Sequence, residues 1–168
     1  MPEVGFRVLT PTNEAENAVV ADYIYDFLRR PEIWPYLNEG AQRGSFIYMV
    51  IQQWLAGTRQ LGVPTVDGDA AGLFWMVPMN THLVEGFQAV RDEYRKYSFE
   101  CLRLACDAAF TVNPSVKGIV GFIHEENKRS LVVARHTGFK KQGEINNYFT
   151  NNGETSKAIV MVKERYNV

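Results

Sequence analysis

The chain alternates between two spacings of apolar residues, and the points where the spacing changes divide it into elements. Residues 6–9 form a short extended run closed by Thr10-Pro11, where threonine is placed to cap a helix and proline to occupy its first position. In residues 14–30, Ala18, Ala21, Tyr25 and Leu28 recur at three and four, which predicts a helix with that stripe inward; Pro31 stops it. Residues 31–44 carry Trp34, Pro35 and Tyr36 among Pro, Gly and Asn, the composition of a loop. Ser45 is placed to cap a second helix, whose stripe runs through Phe46, Ile47, Val50, Ile51, Trp54 and Leu55.

Beyond Arg59 the pattern changes to short runs at 63–66, 71–78 and 82–90, broken by Asp67-Gly68-Asp69 and by Asn80, which predicts consecutive antiparallel strands. Residues 92–110 are helical again, with Phe99, Leu102, Ala105, Cys106 and Ala109 on the apolar face. A compact apolar strand at 116–123 follows, then an amphipathic helix at 127–137 ended by Gly138. Asn151-Asn152-Gly153 is a hairpin turn signal between extended runs at 145–149 and 157–163. The order contains a strand-helix-strand unit beside an antiparallel meander, an α/β arrangement.

Composition narrows the function classes. A chain of 168 residues, 46% hydrophobic and 12% aromatic, is enough for a single domain with one core. The 18 basic and 19 acidic residues leave a net charge of -1 without a block of one sign, which argues against nucleic acid and anionic membranes and for a small-molecule partner. Cys101 and Cys106, five apart in a helical pattern, fit neither a CxxC pair, a zinc site nor a disulfide framework, and read as the reduced core thiols of a cytoplasmic protein. Residues 1–6 lack a basic segment leading into an apolar one, and the longest apolar stretch, 70–79, is about half a membrane span. No GxGxxG, Walker loop, HExxH or metal-ligand cluster is present, so no metal is expected.

One segment carries a family pattern. Residues 116–124 (Val-Lys-Gly-Ile-Val-Gly-Phe-Ile-His) lead into Glu125-Glu126-Asn127, then Ser130 three residues later, then Thr137-Gly138-Phe139. This resembles the acyl-CoA-binding core of the GNAT-type N-acetyltransferases. Residues 90–95 (Val-Arg-Asp-Glu-Tyr-Arg) resemble the family's joint between its fourth strand and its pyrophosphate loop. Residues 138–143 (Gly-Phe-Lys-Lys-Gln-Gly), followed by a hairpin, resemble the ribosomal-protein acetyltransferase branch, and residues 33–37 (Ile-Trp-Pro-Tyr-Leu) resemble GNAT-like proteins of tailed phages. The resemblance implies one domain over residues 1–168 with the GNAT fold, a mixed sheet of about six to seven strands flanked by about four helices. It implies acetyl-CoA as co-substrate and an amine of a small molecule or protein as acceptor.

In such a fold the fourth and fifth strands splay apart and leave backbone groups free for the pantetheine arm; the resemblance places these at Ala89, Val90 and Arg91. It places the pyrophosphate at Arg95, Lys96, Tyr97 and Ser98, where a helix begins. Where the family carries glycines this chain has Ser98 and Glu100, and the latter brings a carboxylate to a phosphate cradle. Asn127 and Ser130 are implied cofactor contacts, while asparagine before a helix is equally a plain N-cap. The tyrosine that many members use as general acid, seven residues after the asparagine, is Ala134 here, which leaves the thiolate to water or to a tyrosine such as Tyr148.

Two groups are suited to take a proton from the attacking ammonium: Glu85, in the fourth strand, and His124, at the end of the fifth. The competing readings are a strand carboxylate facing solvent and a polar cap on the core. His82 and His136 have weaker claims. Trp34 and Tyr36 either line an acceptor pocket or pack over the second helix. Two functions follow: an acetyl-CoA-dependent N-acetyltransferase working by direct attack, its thioester oxygen polarised by a backbone N–H near Val90, or a GNAT-fold protein without catalysis that serves as a phage assembly or binding component. Ser98, Glu100 and Ala134 favour the second. A plain interaction domain anchored by Trp34 and Tyr36 is a third reading; a homodimer and a location in the virion or infected host cell stay open.

Overall fold

The computed structural model describes residues 1–37, 43–151 and 153–166, with only the backbone of Arg43. Residues 38–42 of the expected loop, and Asn152 of the expected hairpin turn, lie outside the described residues. The elements run β1 (Val4–Leu9), α1 (Glu14–Leu28), α2 (Arg43–Leu55), β2 (Gln60–Val66), β3 (Asp69–Ala70), β4 (Gly72–Pro78), β5 (Leu83–Val90), α3 (Ser98–Val112), β6 (Gly118–His124), α4 (Lys128–His136), β7 (Lys140–Asn151) and β8 (Glu154–Glu164). Single 3-10 segments occupy Trp34–Tyr36 and Asp92–Tyr97.

The strands make one mixed sheet of eight, ordered β1-β2-β4-β5-β6-β8-β7, with β3 paired to β2. The count exceeds the expected six to seven because of β3, a two-residue piece made when Asp67 and Gly68 turn the chain so that Val66 faces Asp69. All described pairings are antiparallel except β5 with β6. Between those two lies α3, the crossover that a parallel pair requires.

Two apolar clusters cover the two sheet faces. Phe74, Met76, Val84 and Ile119 pack against Leu102, Ala105 and Cys106 of α3 and Leu131 and Ala134 of α4. On the other face Leu61, Leu73 and Trp75 meet Ile24, Phe27 and Leu28 of α1 and Ile47, Val50 and Trp54 of α2. Alternate residues of β4 and β5 therefore serve opposite helix pairs. Cys101 and Cys106 are unpaired and buried in α3, where burial pushes their thiols up to about 11 and about 12.

Several helix expectations need correction. Asn13, not Thr10, caps α1: its side-chain oxygen accepts the Glu16 N–H at 3.0 Å, and Thr10-Pro11 lies outside the helix. The inward face of α1 is Ile24, Phe27 and Leu28, with Val20 and Tyr23 beside them, whereas Tyr25 is exposed beneath the Arg29 guanidinium. A misplacement of one residue turns a helix face by about 100°. Ser45 falls inside α2, which begins at Arg43. In residues 92–110 the α-helix starts only at Ser98, and Phe99 is exposed, edge-on to His136. At α4 the expectation holds: Asn127 caps the helix and Gly138 follows it with φ +93°, a left-handed position glycine adopts without strain.

Candidate active site

The site begins where β5 and β6 part. They pair only from Leu83 opposite Gly118 to Glu85 opposite Val120, although β5 continues to Val90 and β6 to His124. On its other edge β5 stays paired with β4 throughout, and the Arg91 N–H bonds to the Ala71 carbonyl at 2.8 Å. That register turns the backbone groups of Ala89 and Arg91 toward β4 and those of Gln88 and Val90 toward the gap. A cavity of about 390 Å³ fills the gap. Its wall includes Ile119, Val133 and Ala134 from the α3/α4 side and Tyr36, Phe122 and His124 from the other, so it passes through the sheet.

One end of this slot is positively charged. Arg95, Lys128 and Arg129 line it together with Asp92, which pairs with Arg95. Arg129 donates to the Arg95 carbonyl at 2.7 Å, tying α4 to the segment before α3. Burial first, and the neighbouring Arg95 second, lower the pKa of Arg129, with Asp92 opposing. Among the described residues no side chain caps the first turn of α3; the 3-10 segment runs directly into it, and the Ser98 N–H bonds to the Arg95 carbonyl. Glu100, the expected source of repulsion, does not face the slot: its carboxylate bonds to Arg103 at 2.5 Å, and Arg103 continues to Asp107.

The opposite end is aromatic. The His124 ring lies edge-on to Tyr36, with centroids 6.1 Å apart, and tilted against Phe149 at 5.1 Å. A bulge in β7 between Ile145 and Phe149, where Asn147 has φ +54°, accompanies the stacking of Tyr148 on Phe122 at 5.0 Å. His124 Nδ1 accepts the Glu126 backbone N–H at 3.2 Å, so the neutral ring carries its proton on Nε2, which donates to Ser156 Oγ at 2.6 Å. Glu32 also lines this region and bonds to Arg30 at 2.7 Å, which lowers its pKa.

No family model matches the sequence, and no curated protein does. Solved structures do match. The spermidine N-acetyltransferase from Vibrio cholerae, in complex with CoA and spermine, superimposes with a TM-score of 0.75 at 15% identity over 96% of this chain and 95% of that one. The aminoglycoside acetyltransferase AAC(6')-Ib with coenzyme A gives 0.71 at 17% identity over 97% and 95%. The ribosomal-protein-S5-alanine acetyltransferase from Vibrio fischeri gives 0.71 at 14% identity over 98% and 96%. The chain has the GNAT fold.

Within that GNAT frame, the structure brings Ala89, Val90, Arg95, Ser98, Asn127, Ser130, His124 and Tyr36 to one cavity. Five other expected residues do not line it. Glu85 shares the α1/α2 face of β5 with Phe87, where burial raises its pKa and the buried Arg59 opposes the shift. Arg91 is turned to the Ala70 carbonyl and to Glu93. Lys96 is exposed and lies over the ring of the half-buried Tyr97. Trp34 packs edge-on against Phe46 of α2. Among the described residues no group of three or more His, Cys, Asp or Glu is gathered to hold a metal ion.

Asn127 resolves its two readings only in part, since its side-chain oxygen caps α4 by accepting the Ser130 N–H at 3.1 Å while its amide nitrogen is left for another acceptor. Sequence reasoning missed Arg129 and Gln88. The signal for Arg129 was a cation in the first turn of a helix that starts beside the strand gap. For Gln88 it was a polar residue two positions from Val90, on the face that Val84 buries.

Proposed function

We propose that the protein is an acetyl-CoA-dependent N-acetyltransferase that acetylates a primary amine by direct attack. The observation that supports this most is the slot through the sheet, with the free backbone groups of Gln88 and Val90 along it and a cationic end at Arg95 and Arg129. An extended arm of amides ending in phosphates fits that order of groups: an open strand edge first, then the positive dipole end of α3 and guanidinium charge. The side chains standing at the family's glycine positions do not oppose it, because Ser98 turns its hydroxyl to the Arg95 carbonyl and Glu100 turns to Arg103.

In this reading the Val90 N–H polarises the thioester oxygen from inside the gap, an interaction that strengthens as negative charge develops there. The amine enters past Tyr36 and Glu32. His124 takes a proton from the ammonium form of the amine at Nδ1, giving up the 3.2 Å bond from Glu126 while Nε2–H stays on Ser156. The nitrogen then bonds to the carbonyl carbon, the C–S bond breaks, and the second proton the nitrogen sheds reaches the CoA thiolate through water. An acceptor ammonium with an ordinary pKa near ~10 needs such a base at neutral pH. A primary amine is also the group that joins the acceptors named for the neighbours, spermidine and the S5 alanine among them.

Ala134 favours a second reading, a GNAT-fold protein that binds but does not catalyse and serves as a binding or assembly component, for instance of a phage. It is buried in the cavity wall at the position of the family's usual acid and offers no hydroxyl. Turnover separates the two. Release of CoA thiol from acetyl-CoA is expected with at least one member of a panel of polyamines, aminoglycosides and peptide N-termini, and no release with any of them, despite acetyl-CoA binding, would leave the non-catalytic reading.

A further inference from the structure

Gln88 is fixed by one bond and left incomplete by another. Its Nε2 donates to the Ser98 carbonyl at 3.2 Å, which orients the amide, since the flipped form would set two oxygens against each other. That leaves Oε1 as the second terminal atom, and it is buried with no hydrogen-bond partner among the described residues. Buried acceptors without a donor are uncommon because they have given up water for nothing. Gln88 lines the slot, and its own backbone groups, with those of Val90, face the same gap. The Ser98 carbonyl, in the first turn of α3, is already served by the N–H four residues on, so the glutamine is not there to satisfy it.

We infer that a shift of the Gln88 side chain on binding uncovers Oε1, closed off in the ligand-free slot, so that it accepts an amide N–H of the acyl-CoA's pantetheine arm, making the side chain a recognition group for an amide-bearing thioester. This rests on the acyl-CoA reading above. Pantetheine carries two secondary amides, each with one N–H, and an arm laid along the open edge of β5 brings an amide past position 88. The contact adds a side-chain requirement to one otherwise made by backbone, and it links cofactor binding to α3 through the Ser98 bond.

The test is calorimetric titration of the full chain with two ligands: acetyl-CoA, and adenosine 3′,5′-bisphosphate, which carries phosphates but no amide. Gln88→Met, similar in length but without an acceptor, is expected to weaken acetyl-CoA about tenfold, the size of one lost hydrogen bond to a buried group. The bisphosphate affinity and the melting temperature of the ligand-free protein stay unchanged. Should the variant not fold, the wild-type protein answers by NMR, the Gln88 side-chain amide signals moving with acetyl-CoA and not with the bisphosphate. Equal acetyl-CoA affinity in variant and wild type, equal losses for both ligands, or unmoved signals overturn the inference. If wild-type protein binds neither ligand, the acyl-CoA reading itself has failed and the inference falls with it.

Discussion

Ser156 Oγ lies 2.6 Å from His124 Nε2, across from β8 to the last residue of β6, while the Glu126 N–H donates to Nδ1 and so sets the neutral ring's proton on Nε2. On the proposed function, Nδ1 is then the atom that takes the amine's proton. His124→Ala is expected to lower kcat by roughly 10²–10⁴-fold, the usual range for a positioned general base. Ser156→Ala removes only the orienting partner and is expected to lower kcat about tenfold without changing acetyl-CoA affinity. Equal kcat in Ser156→Ala and wild type would show that the ring needs no such support.

The rim of the slot depends on Gly72. A Cβ there would meet the Ala89 carbonyl oxygen at 2.2 Å and the Val90 Cα at 3.1 Å, both backbone atoms of β5. Gly72→Ala is therefore expected to push β5 outward at the residues that face the gap, costing about 1–3 kcal/mol of stability and weakening acetyl-CoA. Gly143→Ala, with nothing within 4 Å of its Cβ, is the control and is expected to leave both unchanged. Chemical denaturation and calorimetry on the pair check this.

Asn127 separates cap from ligand contact by a two-step substitution. Asn127→Ala is expected to cost about 1 kcal/mol through loss of the cap. Asn127→Asp keeps an oxygen for the Ser130 N–H and recovers that stability, but it removes the amide donor and adds a negative charge at the slot. Acetyl-CoA affinity is expected to fall in both. Recovery of affinity together with stability in Asn127→Asp would mean that the residue caps the helix and does nothing more.

The strand-helix pair at β6 and α4 was legible because its signals are local: an apolar run, an asparagine cap and a glycine that leaves the helix with φ +93°. The inward face of α1 was not, since Tyr25 has the spacing of a core residue yet finds its partner in Arg29 on the same helix. The same limit applies to the site. Val90 could be placed from the chain, but whether its backbone or that of Ala89 faces the gap is decided by register with β4, a long-range property. Arg129 and Gln88 carry only faint local signals, a cation in a first helical turn and a polar residue on a buried strand face; what singles them out is their bonds to the carbonyls of Arg95 and Ser98, 34 and 10 residues away.

Glu85 makes a prediction about pH. Burial raises its folded pKa above the ordinary value of 4.5, with Arg59 opposing. Between that value and the raised one, the unfolded chain has lost the proton that the folded protein keeps, so stability falls as pH rises through the window. Glu85→Gln removes the titration. Its stability, followed by denaturant midpoint from pH 4 upward on a scale of about one unit per step, is expected to lose that decline. A decline of the same slope in both proteins would place its origin elsewhere.

On the proposed function, the slot between β5 and β6 binds acyl-CoA, and its cationic end includes Arg129. Calorimetric titration of the wild-type protein with acetyl-CoA, alongside Arg129→Ala, addresses it directly. Saturable one-to-one binding is expected, weakened about tenfold in Arg129→Ala through loss of a charge-assisted contact. Absence of heat at high micromolar acetyl-CoA, or binding unaffected by Arg129→Ala, would contradict it.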